Sequence, residues 1–128
     1  MNLLTSVIIV NHNTPDVLKE CISSLFRYED PNSLEIFIID NASTDNSPVV
    51  ITELCKEQKN ISAIFLNTLQ SFSFANNRGI EKAAGAYILI MNPDIIFTEP
   101  VIQKLIQKMA AEKEIGAISP ALLGNDGK

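Results

Sequence analysis

The sequence predicts an α/β fold, a mostly parallel sheet with helices on both faces. Three observations predict it. Short apolar runs alternate with amphipathic stretches at helical spacing along nearly the whole chain. The runs are rich in β-branched residues and show no polar alternation, which is the pattern of strands covered on both sides. Each run also stops abruptly on amides and acids, and the carboxyl edge of such a sheet is where ligands bind.

Thr5-Ser6-Val7-Ile8-Ile9-Val10 reads as the first strand and opens into Asn11-His12-Asn13. Thr14-Pro15-Asp16 then signals a helix start, with an N-cap, proline at the first helical position and an acid facing the positive end of the helix dipole. Val17, Leu18, Cys21, Ile22, Leu25 and Phe26 share one face of that helix. Tyr28 to Ser33 is the loop back. Glu35-Ile36-Phe37-Ile38-Ile39 is the second strand and ends on Asp40-Asn41-Ala42-Ser43-Thr44-Asp45. Ser47-Pro48 repeats the cap-then-proline start, and Val49, Val50, Leu54 and Cys55 supply the next apolar face.

Ile61 to Leu66 is a shorter third strand, and Asn67 to Ser73 a loop. A small-residue helix of about three turns follows through Ala75, Asn76, Asn77, Ile80 and Ala83-Ala84, with Gly85 expected as its C′ residue. Tyr87-Ile88-Leu89-Ile90-Met91 is the fourth strand, expected to have no solvent face, and Pro93 forces the chain out of the sheet with Asn92 and Asp94 at its carboxyl end. Thr98-Glu99-Pro100 starts a last helix with a stripe of Val101, Ile102, Leu105, Ile106 and Met109, and Ile115 to Pro120 is expected as a fifth strand. Gly124-Asn125-Asp126-Gly127 is a turn signal with only Lys128 after it, so a single domain over 1–128, cut before a further part, is the expectation.

The alternation implies right-handed crossovers in a Rossmann-like, doubly wound arrangement. Asn11, Asn13, Asp40, Asn41, Asn92 and Asp94 then converge from three strands on one edge. An Asn-Pro-Asp stretch taken alone reads as a turn, so the convergence carries the weight.

Composition narrows the classes. A net charge of −5 with ten scattered Lys and Arg argues against a nucleic-acid binder. No apolar run approaches the roughly 18 residues of a membrane span, and Met1 to Ser6 carries no basic leader region, so a cytoplasmic location is expected. Cys21 and Cys55 are too few and too far apart for a zinc site or disulfide framework and read as buried thiols. There is no Gly-x-Gly-x-x-Gly after the first strand, no P-loop and no Gly-x-Ser-x-Gly elbow. His12, the only histidine, has no nucleophile beside it in sequence and reads as a loop residue. A phosphoacceptor receiver domain needs an acidic pair after the first strand, where this chain has Asn11-His12-Asn13.

Ser6-Val7-Ile8-Ile9-Val10-Asn11-His12-Asn13, Ile38-Ile39-Asp40-Asn41-Ala42-Ser43-Thr44-Asp45, Phe74-Ala75-Asn76-Asn77-Arg78-Gly79-Ile80 and Met91-Asn92-Pro93-Asp94 occur in the order and approximate spacing of family 2 glycosyltransferases, and the chain most resembles their bacterial rhamnosyltransferase-like branch. The resemblance implies a nucleotide-sugar-binding domain of the GT-A fold. It also implies an inverting, divalent-cation-dependent transfer from a nucleotide-diphosphate sugar, UDP- or dTDP-linked, to a glycan or lipid-linked acceptor at the inner face of a membrane. By that similarity Asp40 contacts the base or ribose, and Asn11, Asn13 and Asn41 shape the pocket. Asn76 and Asn77 line the donor site, Asn92 reaches the ribose, and Asp94 holds Mg²⁺ or Mn²⁺ on the diphosphate. A hard cation of this kind commonly uses only one or two protein carboxylates beside substrate phosphates.

Three departures accompany the resemblance. Asn92 replaces the first acid of the family's Asp-x-Asp motif, and Ser71 and Ser73 stand where the family has glycines. The family's general base lies further along than Lys128, so no catalytic residue is assigned here. A non-catalytic nucleotide- or partner-binding module of the same fold is the competing reading.

Overall fold

The computed structural model describes residues 5–128; the leader-free reading of Met1 to Leu4 lies outside the described residues. Four strands, β1 (Thr5–Asn11), β2 (Leu34–Asn41), β3 (Ile61–Leu66) and β4 (Tyr87–Met91), form one sheet in the order β3-β2-β1-β4. Every pairing is parallel. The helices are α1 (Pro15–Tyr28), α2 (Ser47–Glu57), α3 (Phe72–Ile80) and α4 (Val101–Ala111). A single 3-10 turn, Pro31–Ser33, precedes β2, with Asp30 accepting from the Asn32 N–H at 3.0 Å.

The apolar runs sort onto two faces because side chains alternate along a strand. Val7, Ile9, Ile36 and Ile38 face α1 and α2, packing with Leu18, Cys21, Ile22, Leu25, Val50, Ile51 and Leu54, and with Ile102 of α4. Ile8, Val10, Phe37 and Ile39 face the other way, against Ala75 and Ile80 of α3. Gly79 permits that close approach: a Cβ there would lie 2.8 Å from Ile8 Cγ2 and 2.9 Å from Ile39 Cδ1.

Several expectations are corrected. The fourth strand is an edge strand with one open face, Ile88 and Ile90 being 47% and 48% exposed. The reason is that α3 covers that face alone and sits over β1 and β2, leaving β4 beyond its reach. The run from Ile115 to Pro120 forms no strand; Gly116 and Pro120 weaken ladder pairing, and neither edge of the sheet takes it up. Val17 and Val49 point outward, while Ile51, absent from the predicted stripe of α2, is fully buried. Cys21 is buried as expected, whereas Cys55 is half-buried.

Gly85 has a different role from the one its position suggested. Helix α3 ends at Ile80, with Glu81 as its C-cap, so Ala83 and Ala84 lie outside the helix and Gly85 is not its C′ residue. Instead the Gly85 N–H donates to Ser6 Oγ at 2.8 Å and to Glu35 Oε1 at 3.2 Å, and the Ala84 N–H donates to Glu35 Oε1 at 2.6 Å. This ties the entry of β4 to the first residues of β1 and β2. A Cβ at Gly85 would stand 2.7 Å from both the backbone N and Oγ of Ser6 and 2.9 Å from the Thr5 carbonyl carbon. Backbone cannot step aside as a side-chain tip can, so Gly85→Ala is expected to cost roughly 1–3 kcal/mol of unfolding free energy in a urea titration.

Candidate functional site

The strand order reverses at β1: the chain goes from β1 outward through β2 and β3, then returns to place β4 on the other side of β1. A crevice between diverging loops is expected at such a switch point, outside the carboxyl ends of the strands. Asn11 pairs with Asp40 in the ladder, and Met91, the last residue of β4, pairs with Ile9. The three loops that follow, 12–14, 42–46 and 92–100, therefore leave from the same edge.

Asn11 and Asp40 form the floor of this edge and are 0% and 2% exposed. Asn11 Nδ2 donates to Asp40 Oδ1 at 3.1 Å and approaches Ser43 Oγ at 3.4 Å, while its Oδ1 accepts from the Thr14 hydroxyl at 2.8 Å. Asp40 Oδ1 also accepts from Ser43 Oγ at 2.6 Å, and Oδ2 from the Ser43 N–H at 3.2 Å. A buried carboxylate is tolerated when donors surround it in this way.

Asn13 and Asn41 extend the network to either side. Asn13 sits in the left-handed region at φ 54, accessible to asparagine, and its N–H donates to Ser43 Oγ at 2.9 Å. Asn13 Oδ1 accepts from the N–H groups of Thr44 at 2.8 Å and Asp45 at 3.3 Å, closing loop 12–14 onto loop 42–46. Ala42, also at φ 54, makes the turn that allows it. Asn41 clamps the segment before α3: its Nδ2 donates to the Gln70 carbonyl at 3.0 Å, and its Oδ1 accepts from the Gln70 N–H at 2.9 Å. His12 Nδ1 lies 2.8 Å from the Asn41 carbonyl, which can only accept, so that nitrogen carries the proton and Nε2 accepts from Asn13 Nδ2 at 3.3 Å.

The remaining site residues stand apart from this network. Asn92 and Asp94 are exposed, and among the described residues the Asp94 carboxylate accepts no hydrogen bond. Asp94 lies close enough to α1 that its charge adds to the effect of burial on the Cys21 thiol, which is pushed up to about 12. Asn77 is exposed on α3. Asn76 is buried, donates from Nδ2 to the Phe72 carbonyl at 2.9 Å, and leaves its Oδ1 without a partner. Ser71, where a glycine was expected by resemblance, is the N-cap of α3 and accepts from the Phe74 N–H at 3.1 Å.

Ser43, Thr14 and Gln70 belong to the site's framework and were not among the expected residues. The Asp40-to-Ser43 spacing, an acid with a hydroxyl three residues on in a turn, was the available signal for the first of them. Nothing in the local sequence points to Gln70, which joins through its backbone.

No cluster of three or more His, Cys, Asp or Glu suited to a metal ion occurs among the described residues. The described residues therefore offer no all-protein cage. What the loops of this edge do offer is exposed carboxylates, Asp45, which accepts from the Ser47 N–H at 2.8 Å, and Asp94, a donor set suited to a hard cation that takes its other ligands from phosphate oxygens.

A Rossmann-like parallel sheet with this polar edge at its switch point defines an α/β domain of the GT-A kind, and solved structures share the fold. The Pyrobaculum calidifontis mannosyltransferase PcManGT, solved with GDP-Man and Mn²⁺, superposes with a TM-score of 0.83 at 18% identity, over 94% of this chain and 36% of that one. S. aureus TarS 1–349 with UDP-GlcNAc gives 0.73 at 18% identity, over 92% of this chain and 37% of that one. In sequence, residues 6–127 match the family model "Glycosyl transferase family 2", and the chain belongs to that family. Glycosyltransferase GlyG of Streptococcus pneumoniae is 30% identical over 109 residues, 85% of this chain and 36% of that protein. The putative teichuronic acid biosynthesis glycosyltransferase TuaG of Bacillus subtilis is 24% identical over 106 residues, 83% of this chain and 42% of that protein. The chain thus spans less than half the length of these relatives.

The network predicts a stability contrast. Asn11→Ala strips the buried Asp40 carboxylate of a donor and should lower unfolding free energy by about 1–3 kcal/mol. Asn77→Ala, on an exposed helical surface, should stay within about 0.5 kcal/mol of wild type in the same urea titration.

Proposed function

We propose that this chain is the donor-binding part of a family 2 glycosyltransferase of the rhamnosyltransferase-like branch. Its reaction would be an inverting transfer of a sugar from a nucleotide-diphosphate sugar, UDP- or dTDP-linked, to a glycan or lipid-linked acceptor at the cytoplasmic face of a membrane. The observation that carries the reading is the pairing of a buried, hydrogen-bonded amide–carboxylate edge with Asp94, an exposed carboxylate on the loop after β4, across the switch point. The relatives support it: PcManGT was solved with GDP-Man and Mn²⁺, TarS with UDP-GlcNAc, and TuaG is named for teichuronic acid synthesis.

The residues divide the work by burial. Asp40 and Asn11, already bonded to each other and to Ser43, hold loops 12–14 and 42–46 in one shape, so the nucleoside meets a preformed surface and little ordering accompanies binding. The Asp40 Oδ2 lone pair not engaged by the Ser43 N–H is the acceptor this edge presents to a base or ribose. Asn13 and the exposed His12 form the rim, and Asn41 fixes Gln70 and with it the start of α3. Asn76, whose buried Oδ1 is without a partner, and Asn77 beside it line the donor site in this reading. Asn92 reaches the ribose and Asp94 holds Mg²⁺ or Mn²⁺. When bound, the cation neutralises charge developing on the departing diphosphate. No residue of this chain is assigned as the base that deprotonates the acceptor.

Thermal unfolding with UDP, dTDP and GDP, each with and without Mn²⁺, tests the reading. At about a hundredfold over its dissociation constant one nucleotide should add roughly 2.7 kcal/mol and raise the midpoint by about 5 °C or more. The Mn²⁺-dependent part of that shift should vanish in Asp94→Ala. Retention of the full Mn²⁺ effect in Asp94→Ala would overturn the assignment.

A further inference from the structure

The segment that follows Asp94 has almost no hydrogen bonds of its own. Between β4 and α4, residues 92–100 form neither helix nor strand, and the turn bond from the Val101 N–H to the Glu99 carbonyl, 2.8 Å, is the backbone bond that closes it. Helix α4 also begins without help from its own sequence: its N-cap is Pro100, and no side chain of the segment caps it. Backbone N–H groups buried in this way need partners from elsewhere.

Helix α1 supplies them. Ser24 Oγ, buried on α1, donates its hydrogen to the Cys21 carbonyl at 2.9 Å and is thereby turned to accept from the Phe97 N–H at 3.0 Å. Glu29, the C-cap of α1 and 4% exposed, accepts from the Ile102 N–H at 2.7 Å and so caps α4 from another element. The Ile95 N–H faces the Cys21 sulfur. The Phe97 and Ile102 side chains are buried against the same core, so the anchors act on a packed segment.

We infer that Ser24 and Glu29 are positioning residues for the Asp94 carboxylate: α1, which contributes nothing to the switch-point edge itself, sets where the metal-binding acid stands relative to the Asn11–Asp40 floor. The inference rests on the assignment of Asp94 to the cation. Strand β4 alone cannot do this, because it ends at Met91 and Pro93 breaks the ladder two residues later. Groups hydrogen-bonded to a metal ligand typically change metal affinity by about 10–100-fold when removed, and Ser24 and Glu29 act one step further out, through the backbone that carries Asp94, so the lower end of that range is expected.

The test separates metal binding from nucleotide binding. Using whichever of UDP, dTDP or GDP binds the wild-type chain, calorimetry gives the nucleotide affinity without metal and the half-saturating Mn²⁺ concentration at saturating nucleotide. Ser24→Ala and Glu29→Leu should each raise the Mn²⁺ requirement about tenfold or more, with metal-free nucleotide affinity held within about twofold. Glu29→Gln keeps an acceptor for the Ile102 N–H and should behave as wild type. An unchanged Mn²⁺ requirement in Ser24→Ala, or equal losses of metal-free and metal-dependent binding, overturns the positioning role. A wild-type chain whose nucleotide binding ignores Mn²⁺, or an Asp94→Ala variant equal to wild type, overturns the Asp94 reading, and this inference with it. Amide exchange in the wild-type protein guards against variants that do not fold: Phe97 and Ile102 should be protected although Phe97 lies in an irregular segment, and free exchange at both would refute the anchoring.

Discussion

The bond between Asn11 and Asp40 is the constraint on which the upper edge of this molecule depends. It joins the last ladder pair of β1 and β2, residues that face each other in register, at a level with no solvent to satisfy them. A carboxylate so placed must collect donors, and it collects them from the turn that follows it, through both the N–H and the hydroxyl of Ser43. Once Ser43 is held, its Oγ is available to the Asn13 N–H, and Asn13 in turn holds Thr44 and Asp45. Two loops that would otherwise move separately become one surface.

The same logic runs through β2 in the other direction. Asn41, next along the strand from Asp40, faces the opposite side of the sheet and spends both ends of its amide on Gln70. One dipeptide therefore organises both sides of the switch point: Asp40 toward β1, Asn41 toward the start of α3. Beyond one Asp40 Oδ2 lone pair neither residue has much side-chain capacity left, so much of their contribution to a ligand site is one of shape. The groups free to meet a charged ligand are those at the periphery, with Asp94 foremost among the acids of the edge.

Much of this was legible from the residue pattern, and the misses have physical reasons. The four paired strands stand within two residues of where β-branched runs and their polar ends placed them, because a parallel strand buried in a sheet must be continuously apolar. The pattern could not say that β4 is an edge strand, since four apolar residues look the same whether a helix covers their second face or something else does. It misplaced Gly85 because a glycine after a helical run is usually a cap, and the need for close approach to Ser6 is a tertiary fact. In the site, the amides and acids at strand ends were visible as a set. Which of them are buried and spent on one another, and which are exposed, followed only from register and loop geometry.

Helix α1 shows how far a site's determinants lie from its chemistry. Its apolar stripe was readable as sheet cover, and nothing in the sequence pattern singled out Ser24. In the fold, Ser24 and Glu29 are where a segment without secondary structure finds its missing acceptors. The segment needs them because Pro93 ends the strand and Pro100 cannot donate, leaving a stretch of chain that must be templated by its neighbour. A proline-bounded loop bearing a ligand residue gains reach at the cost of self-support, and in this chain the support comes from the helix across the core.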